Sequence, residues 1–229
     1  MGLDPSLVQK VLKIAHKLIR KHKTLNTQVL YNVSKKQLQL PRRGLMKILK
    51  FMLNEKIIIN GSQYTKETVL KNSIRRKIYE SIDSNLGVNF TWIKENIYLL
   101  DQGNYKSISQ FIWHLNLLIK FGYIKKIKVG GKYTIFIYHN IDEKFGRICF
   151  LLRNPLTLEI IKILISRSQI NKQELTKALN EKREKIYYRL RNLSEQQILI
   201  KTGKNEQELM INPKCESLIR LSYEKMINS

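Results

Sequence analysis

The chain has 229 residues, with 42 lysines and arginines against 18 aspartates and glutamates, a formal net charge of +24 and a pI near 10.0. Apolar residues make up 43%, so a disordered basic tail is excluded, and the length suits two or three small modules rather than one large core. Such a charge favours a polyanionic partner: DNA first, RNA second, an anionic membrane surface third.

The charge is spread along the chain, at +11 over residues 1–70, +5 over 71–143 and +8 over 144–229. No segment is a separate basic arm. Cys149 and Cys215 form no Cys-x-x-Cys pair, and His16, His22, His114 and His139 do not cluster with them. A zinc site, a disulfide framework and a redox switch are therefore not expected. Neither a phosphate-binding glycine-rich loop, paired carboxylates nor metal-ligand spacing is present, so no enzyme and no cofactor are expected. With no secretory signal and no apolar run of membrane-spanning length, the expectation is a cytoplasmic, nucleoid-associated protein without a membrane partner.

Residues 5–23 place Leu7, Val8, Val11, Leu12, Ala15, Leu18 and Ile19 on one helical face, with lysines and arginines on the other. A calmodulin-target or membrane-surface helix has the same look. Thr27 is expected to cap a second helix, QVLYNVSKKQL, and Pro41 to open a third, PRRGLMKILKFMLNE, with Leu45, Ile48, Leu49 and Met52 inward. KIIINGSQY then reads as a strand ending at Asn60-Gly61. Three helices, a strand and a turn make a winged-helix pattern with a reduced wing over residues 1–68.

Residues 69–143 carry a second copy. Ile74, Ile78, Tyr79 and Ile82 mark its first helix over 68–84, Asn85-Leu86-Gly87 turns the chain, and Asn89 or Thr91 caps TWIKENIYL. The loop LLDQGNYK is longer than the three or four residues usual between such helices. Ser107 then caps a helix with Ile108, Phe111, Ile112, Leu115, Leu118 and Ile119 as its apolar stripe, and Gly122 stops it. Tyr123–Val129 and Lys132–Tyr138 alternate apolar and polar residues around Gly130-Gly131, a two-residue hairpin signal. A helix feeding a glycine-tipped basic hairpin is the second half of a winged helix, in which the helix enters the major groove and the hairpin lies along the backbone.

Residues 144–229 hold the third copy: RNPLTLEIIKILISRS, then NKQELTKALN with Asn171 and Glu174 as a capping box, then KREKIYYRLRNLSEQQ. ILIKTG and LMINP are its strands. A last helix, Glu216 to Ile227, could pack on this module or on another chain through Leu218, Leu221, Tyr223 and Met226. The expected fold class is thus mainly α with small β-hairpins (α+β), as three tandem winged-helix domains.

Arg153-Asn154-Pro155-Leu156-Thr157-Leu158-Glu159-Ile160-Ile161, Ile186-Tyr187-Tyr188-Arg189-Leu190 and Gln197-Ile198-Leu199-Ile200 give the third copy its likeness. It resembles ArsR-type and related archaeal and bacterial winged-helix transcriptional regulators. Through Asn85-Leu86-Gly87-Val88-Asn89-Phe90, Trp113-His114-Leu115 and Phe121-Gly122-Tyr123-Ile124, the second copy is similar to archaeal regulators built from tandem winged helices. The first copy matches in pattern alone. In the resembling family the position of His114 is often a buried structural histidine. The metal-sensing cysteines of the arsenic-sensor branch are absent, so the resemblance implies no metal regulation.

If the third helix of each copy reads double-stranded DNA, its exposed N-terminal residues make the contact. These are Arg42, Arg43, Lys47 and Lys50 in the first copy, and Lys106, Ser107, Ser109, Gln110 and Trp113 in the second. The third contributes Lys182, Arg183, Lys185 and Tyr188. The arginines suit guanine, Gln110 suits adenine, and lysines suit phosphate. Lys125, Lys126, Lys128 and Lys132 flank the hairpin glycines, whose amides could approach phosphate, and Lys201 and Lys204 lie in the last wing. Each lysine or arginine could equally be a solvated surface charge, and Trp113 a packing residue. A DNA-binding regulator is the leading reading, with self-association through the last helix open. A tandem winged-helix scaffold and a non-specific nucleic-acid-binding chromatin protein remain alternatives, because fold does not fix function.

Overall fold

The structure, a computed structural model, describes residues 4–99, 107–131, 133–203 and 208–227. Its elements in chain order are α1 (Pro5–His22), α2 (Thr27–Leu38), α3 (Arg42–Asn54), α4 (Lys66–Val69), α5 (Ser73–Ser84), β1 (Val88–Asn89) and α6 (Phe90–Ile93), which runs on as a π-helical turn, Lys94–Tyr98. There follow α7 (Ile108–Lys120), β2 (Ile124–Val129), β3 (Tyr133–Tyr138), α8 (Glu143–Leu152), α9 (Pro155–Arg167), β4 (Gln169–Asn171) and α10 (Lys172–Ala178). The chain ends with α11 (Arg183–Glu195), β5 (Leu199–Thr202), β6 (Glu208–Ile211) and α12 (Glu216–Ile227). The chain is mainly helical with small antiparallel sheets. Contacts divide it into two compact units, Met1–Glu80 with Ile97–Tyr123, and Ser81–Asn96 with Ile124–Ser229.

In the first unit, Val8, Val11, Leu12, Ile14, Ala15 and Leu18 of α1 bury one face against Leu30 of α2 and Leu45, Ile48, Leu49 and Met52 of α3. The cap of α2 is Asn26, not Thr27. The Asn26 side-chain oxygen accepts from the Gln28 and Val29 N–H groups at 2.9 and 3.1 Å, while the Thr27 hydroxyl donates to Asn60 at 3.2 Å. The expected strand after α3 is reduced to one bridge, Ile58 to Thr65. Its backbone is spent on the Leu25 turn instead: the Gly61 N–H reaches the Leu25 carbonyl at 2.7 Å, and the Leu25 N–H reaches Ser62 at 2.9 Å. The single helix expected over 68–84 is divided into α4 and α5, and Asn72 caps the second by accepting from the Arg75 N–H.

The second unit holds two three-stranded antiparallel sheets, ordered β1-β3-β2 and β4-β6-β5. Val129 pairs with Tyr133, so three residues form the hairpin loop, one more than the glycine pair suggests. One core takes in Ile127, Val129, Ile135 and Ile137 of the first sheet, Ile148 and Leu152 of α8, Ile160 and Leu164 of α9, and Leu199 and Leu209 of the second sheet. Helix α12 packs on α8 and α9 of its own chain through Ile219 and Ser222. Leu221 stays 47% exposed.

Helix α8 comes very close to the turn before β1 at two glycines. A Cβ on Gly146 would lie 2.8 Å from Ile137 Cγ2, and one on Gly87, where φ is +99°, would lie 2.7 Å from the Gly146 carbonyl oxygen. Gly87→Ala therefore meets both a left-handed backbone and an immovable carbonyl, and should cost roughly 2–4 kcal/mol in urea denaturation. Gly131→Ala, at φ +67° with open space around it, should cost only the backbone strain, about 1 kcal/mol.

Candidate nucleic-acid interface

Asn171 opens α10. Its side-chain oxygen accepts from the Glu174 N–H at 2.8 Å, and its amide donates to the Glu174 carboxylate at 2.6 Å. Four residues, 179–182, turn the chain into α11. That helix buries Ile186, Leu190 and Leu193, and along its flank Arg183, Tyr187, Arg191 and Ser194 recur at i, i+4, i+8 and i+11, Tyr187 half-buried against the core and the other three exposed. Tyr187, Arg191 and Ser194 line a recess of about 260 Å³ together with Lys172 at the start of α10 and Lys201 of β5. Beside it the Arg183 Nε donates to the Tyr187 hydroxyl at 2.9 Å, with the guanidinium 4.9 Å from the ring centroid. The stacked pair is thereby preorganised, leaving the remaining guanidinium donors for a ligand. Three basic groups, a phenol and a hydroxyl at one recess suit phosphate oxygens and base edges. Lys172, Tyr187 and Arg191 were not among the residues singled out from the sequence, although the four-residue spacing from Arg183 carries two of them.

The other residues expected in this segment are more fully occupied. Lys182 is the exposed N-cap of α11. Lys185 pairs with Glu181 at 3.0 Å. The Lys182 N–H and then Lys185 hold the Glu181 carboxyl below its usual range. Half-buried Tyr188 lies 5.3 Å and 5.7 Å from the guanidinium groups of Arg189 and Arg191. It also hydrogen-bonds Tyr133 of β3, which raises the Tyr133 phenol above its ordinary value. Lys126 and Lys128 are exposed on β2, and Lys125 is half-buried. A Cβ on Gly130 would lie 3.8 Å from the Glu195 carboxylate, so an anion neighbours the glycine pair expected at phosphate. Lys106, Lys132 and Lys204 lie outside the described residues.

In the first unit Arg42, Arg43, Lys47 and Lys50 are all exposed on α3. Arg42, Lys47 and Lys50 line a groove of about 710 Å³ between α2 and α3 with Tyr31, Met46 and Leu53. Helix α7 differs. Ser107 caps it as expected, its hydroxyl accepting from the Gln110 N–H at 3.2 Å. Phe111, His114, Leu115 and Leu118 are the side that faces inward, which leaves Ile108 and Ile112 exposed rather than buried. Ser109 is exposed and Gln110 half-buried. From Ser107 to Ile119 the segment has no charged residue.

Trp113 is 45% exposed, yet its ring packs edge-on to Tyr64 with centroids 6.1 Å apart. Against both rings lies Arg75, buried to 4% exposure, 4.8 Å from the Tyr64 centroid and 5.8 Å from that of Trp113. The Arg75 Nε donates to the Val69 carbonyl at 2.5 Å, and an Nη faces His114 Nδ1 at 3.5 Å. Because a guanidinium can only donate, Nδ1 is the acceptor and the His114 proton resides on Nε2, which is buried without a partner. Burial first, and the Arg75 charge second, push His114 down to about 4. Cys149 and Cys215 are both buried, and burial raises both thiols. Among the described residues no three His, Cys, Asp or Glu side chains gather as a metal site, and no helix is long and apolar enough to cross a membrane.

Sequence comparison finds similarity to an uncharacterized HTH-type transcriptional regulator of Methanocaldococcus jannaschii, 30% identical over 128 residues. The match covers 56% of this chain, and the chain spans about 30% of the length of that relative. No family model matches the chain.

The His114 geometry sets an acid limb of stability. A folded value of about 4 against an unfolded value near 6.5 means that the unfolded chain takes up the proton first. The contribution is complete above pH 6.5 and is lost as pH falls towards 4, amounting to roughly 2–3 kcal/mol. His114→Gln, which cannot be protonated, should lose that much less stability between pH 7 and pH 4 in denaturant titrations. The His114 ring protons should show no NMR titration above about pH 5.

Proposed function

We propose that the chain is a DNA-binding transcriptional regulator. In this reading residues 1–68, 69–143 and 144–229 are tandem winged-helix modules, and the third makes the principal DNA contact. The observation that carries it is the recess on α11 where Arg191, Lys172 and Lys201 meet Tyr187 and Ser194 over Leu190 and Leu209, with Arg183 stacked on Tyr187 beside it. Two helices joined by a four-residue turn and followed by a two-stranded hairpin have the form in which a second helix enters the major groove. Similarity to an HTH-type transcriptional regulator supports the same function. Arg183 and Arg191 would read base edges, and Lys172 and Lys201 would hold phosphates, with Lys182 and the β2 lysines Lys126 and Lys128 adding attraction.

A scaffold role is the second reading for the middle segment. There the outward side chains of α7 include Ile108, Ile112 and Trp113, and the one exposed cation of the helix, Lys120, stands in its last turn. Such a face offers little to a phosphate backbone and suits a protein partner.

Fluorescence anisotropy of the full chain with duplex DNA, comparing its own promoter region with random sequence across a salt series, tests the function. A log–log salt slope of about −5 or steeper is expected, with Arg183→Ala and Arg191→Ala each weakening promoter binding by roughly 1–3 kcal/mol. Lys201→Ala should weaken all sequences alike and reduce the salt slope by about 1. Absence of duplex binding at ~100 mM salt would overturn the proposal, since six or more phosphate contacts hold even non-specific complexes near that salt.

A further inference from the structure

The α2–α3 groove of the first unit has a composition that sets it apart from the α11 recess. Its floor and inner walls are Tyr31, Met46, Leu49 and Leu53, and its rims carry Lys35 on α2 and Lys47 and Lys50 on α3. No acidic residue lines it. Met46 is 52% exposed and Leu53 40% exposed. Both lie on the stripe that an α-helical period also gives to Arg42 and Lys50, on the flank of α3 beside its buried face.

From the geometry we infer that this groove docks an amphipathic helix of a partner protein, with an apolar stripe towards Met46 and Leu53 and acidic residues along both edges. Three features of the site select that occupant. The first is length: the eleven residue-to-residue steps from Arg42 to Leu53 span roughly 16 Å, which matches about three turns of a laid-in helix and its i, i+3 or i+4, i+7 anchors. Chemistry is the second. Met46 is unbranched and polarisable and moulds itself to apolar side chains, whereas against base edges Met46 and Leu53 would desolvate polar groups without pairing them. Charge is the third, because cationic rims without a single carboxylate steer acidic flanks to either side. The inference goes beyond the DNA-binding reading, which rests on α11, and gives the basic residues of α3 a protein partner instead of a duplex.

The test uses the full chain and a fluorescein-labelled 15-residue helical peptide with leucines at i, i+4, i+7 and i+11 and glutamates on its other faces. Its scrambled isomer and a random 20-bp duplex serve as comparisons. At low salt the amphipathic peptide should bind at least ~10-fold tighter than the scrambled one, because the apolar stripe adds to charge attraction. The double variant Met46→Glu/Leu53→Glu should lose about 10-fold or more of that affinity, and Lys35→Glu several-fold, with helical circular dichroism and duplex binding unchanged. Equal binding of the scrambled peptide would reduce the groove to a charged surface and overturn the proposal. So would a double variant that weakens duplex binding as much as peptide binding, which would make this a DNA face. Failure of the peptide arm alone, with the Arg183→Ala effect on the duplex intact, would overturn the docking site and leave the DNA reading standing.

Discussion

Each compact unit is tied together by a guanidinium that is taken out of water without a carboxylate to meet it. In the first unit Arg75 gives its Nε to the Val69 carbonyl and lies against Tyr64 and Trp113. In the second Arg153 donates to the Gly87 and Asn85 carbonyls and lies 5.5 Å from the Trp92 centroid. Burial lowers both arginines from their ordinary value, yet an arginine stays charged. Carbonyl dipoles and aromatic quadrupoles therefore replace the missing counter-ion. That solution suits a chain with 42 basic and 18 acidic residues, in which carboxylates are scarce. Its consequences are local and definite: Arg75 packs on Tyr64 and Trp113 and adds to the burial that keeps His114 neutral, and Arg153 holds the Asn85–Gly87 turn against which α8 packs closely at Gly146.

The helices that follow each turn differ in what they present. Along α11 exposed Arg183 and Arg191 flank half-buried tyrosines, α3 exposes basic residues beside Met46 and Leu53, and α7 exposes isoleucine and tryptophan with Lys120 in its last turn. Net charge alone therefore says little about which face meets a polyanion. On α11 part of the charge is already answered, since Glu181 binds Lys185 and Glu195 stands 3.9 Å from Arg191. These exposed pairs contribute little to stability, so a phosphate or base edge could displace the 3.9 Å contact of Arg191. Should α11 meet a duplex as proposed, its acidic residues would act on specificity, because they discourage any phosphate out of register.

Much of the helical framework was legible from apolar spacing and from caps. Asn89, Ser107 and Asn171 all accept from an N–H in the first turn of the helix behind them, and the buried stripes of α1 and α3 follow the period of 3.6 residues. What escaped the sequence has physical reasons. Two- and three-residue strands such as β1 and β4 are too short to show alternation and exist through their pairing to β3 and β6. Helix α8 carries Gly146 and two apolar faces, so its pattern does not announce a helix boundary, and the close approach that requires Gly146 is a tertiary fact. Asn26 and Thr27 are both capping residues, and the choice between them is made by Asn60, thirty-three residues on. For the candidate interface the sequence supplied Arg183, Lys182 and Lys201. Lys172 came from an element folded beside them, and only the sheet and α11 together bring it to the recess.

Helix α7 had a clear cap and a clear stop, yet its inward side was misjudged, because Phe111, Leu115 and Leu118 and the pair Ile108 and Ile112 are both apolar. His114 decides between them. A histidine held beside a buried arginine must lie on the enclosed side of the helix, and a rotation that buried Ile108 and Ile112 would carry the Arg75 contact out into solvent. The buried polar pair thus specifies which of two comparable apolar faces is core, as polar groups in a helical core can do at a cost in stability. The apolar face left outside is a consequence of that choice, and it is why α7 turns Ile108, Ile112 and Trp113 to its surroundings along most of its length.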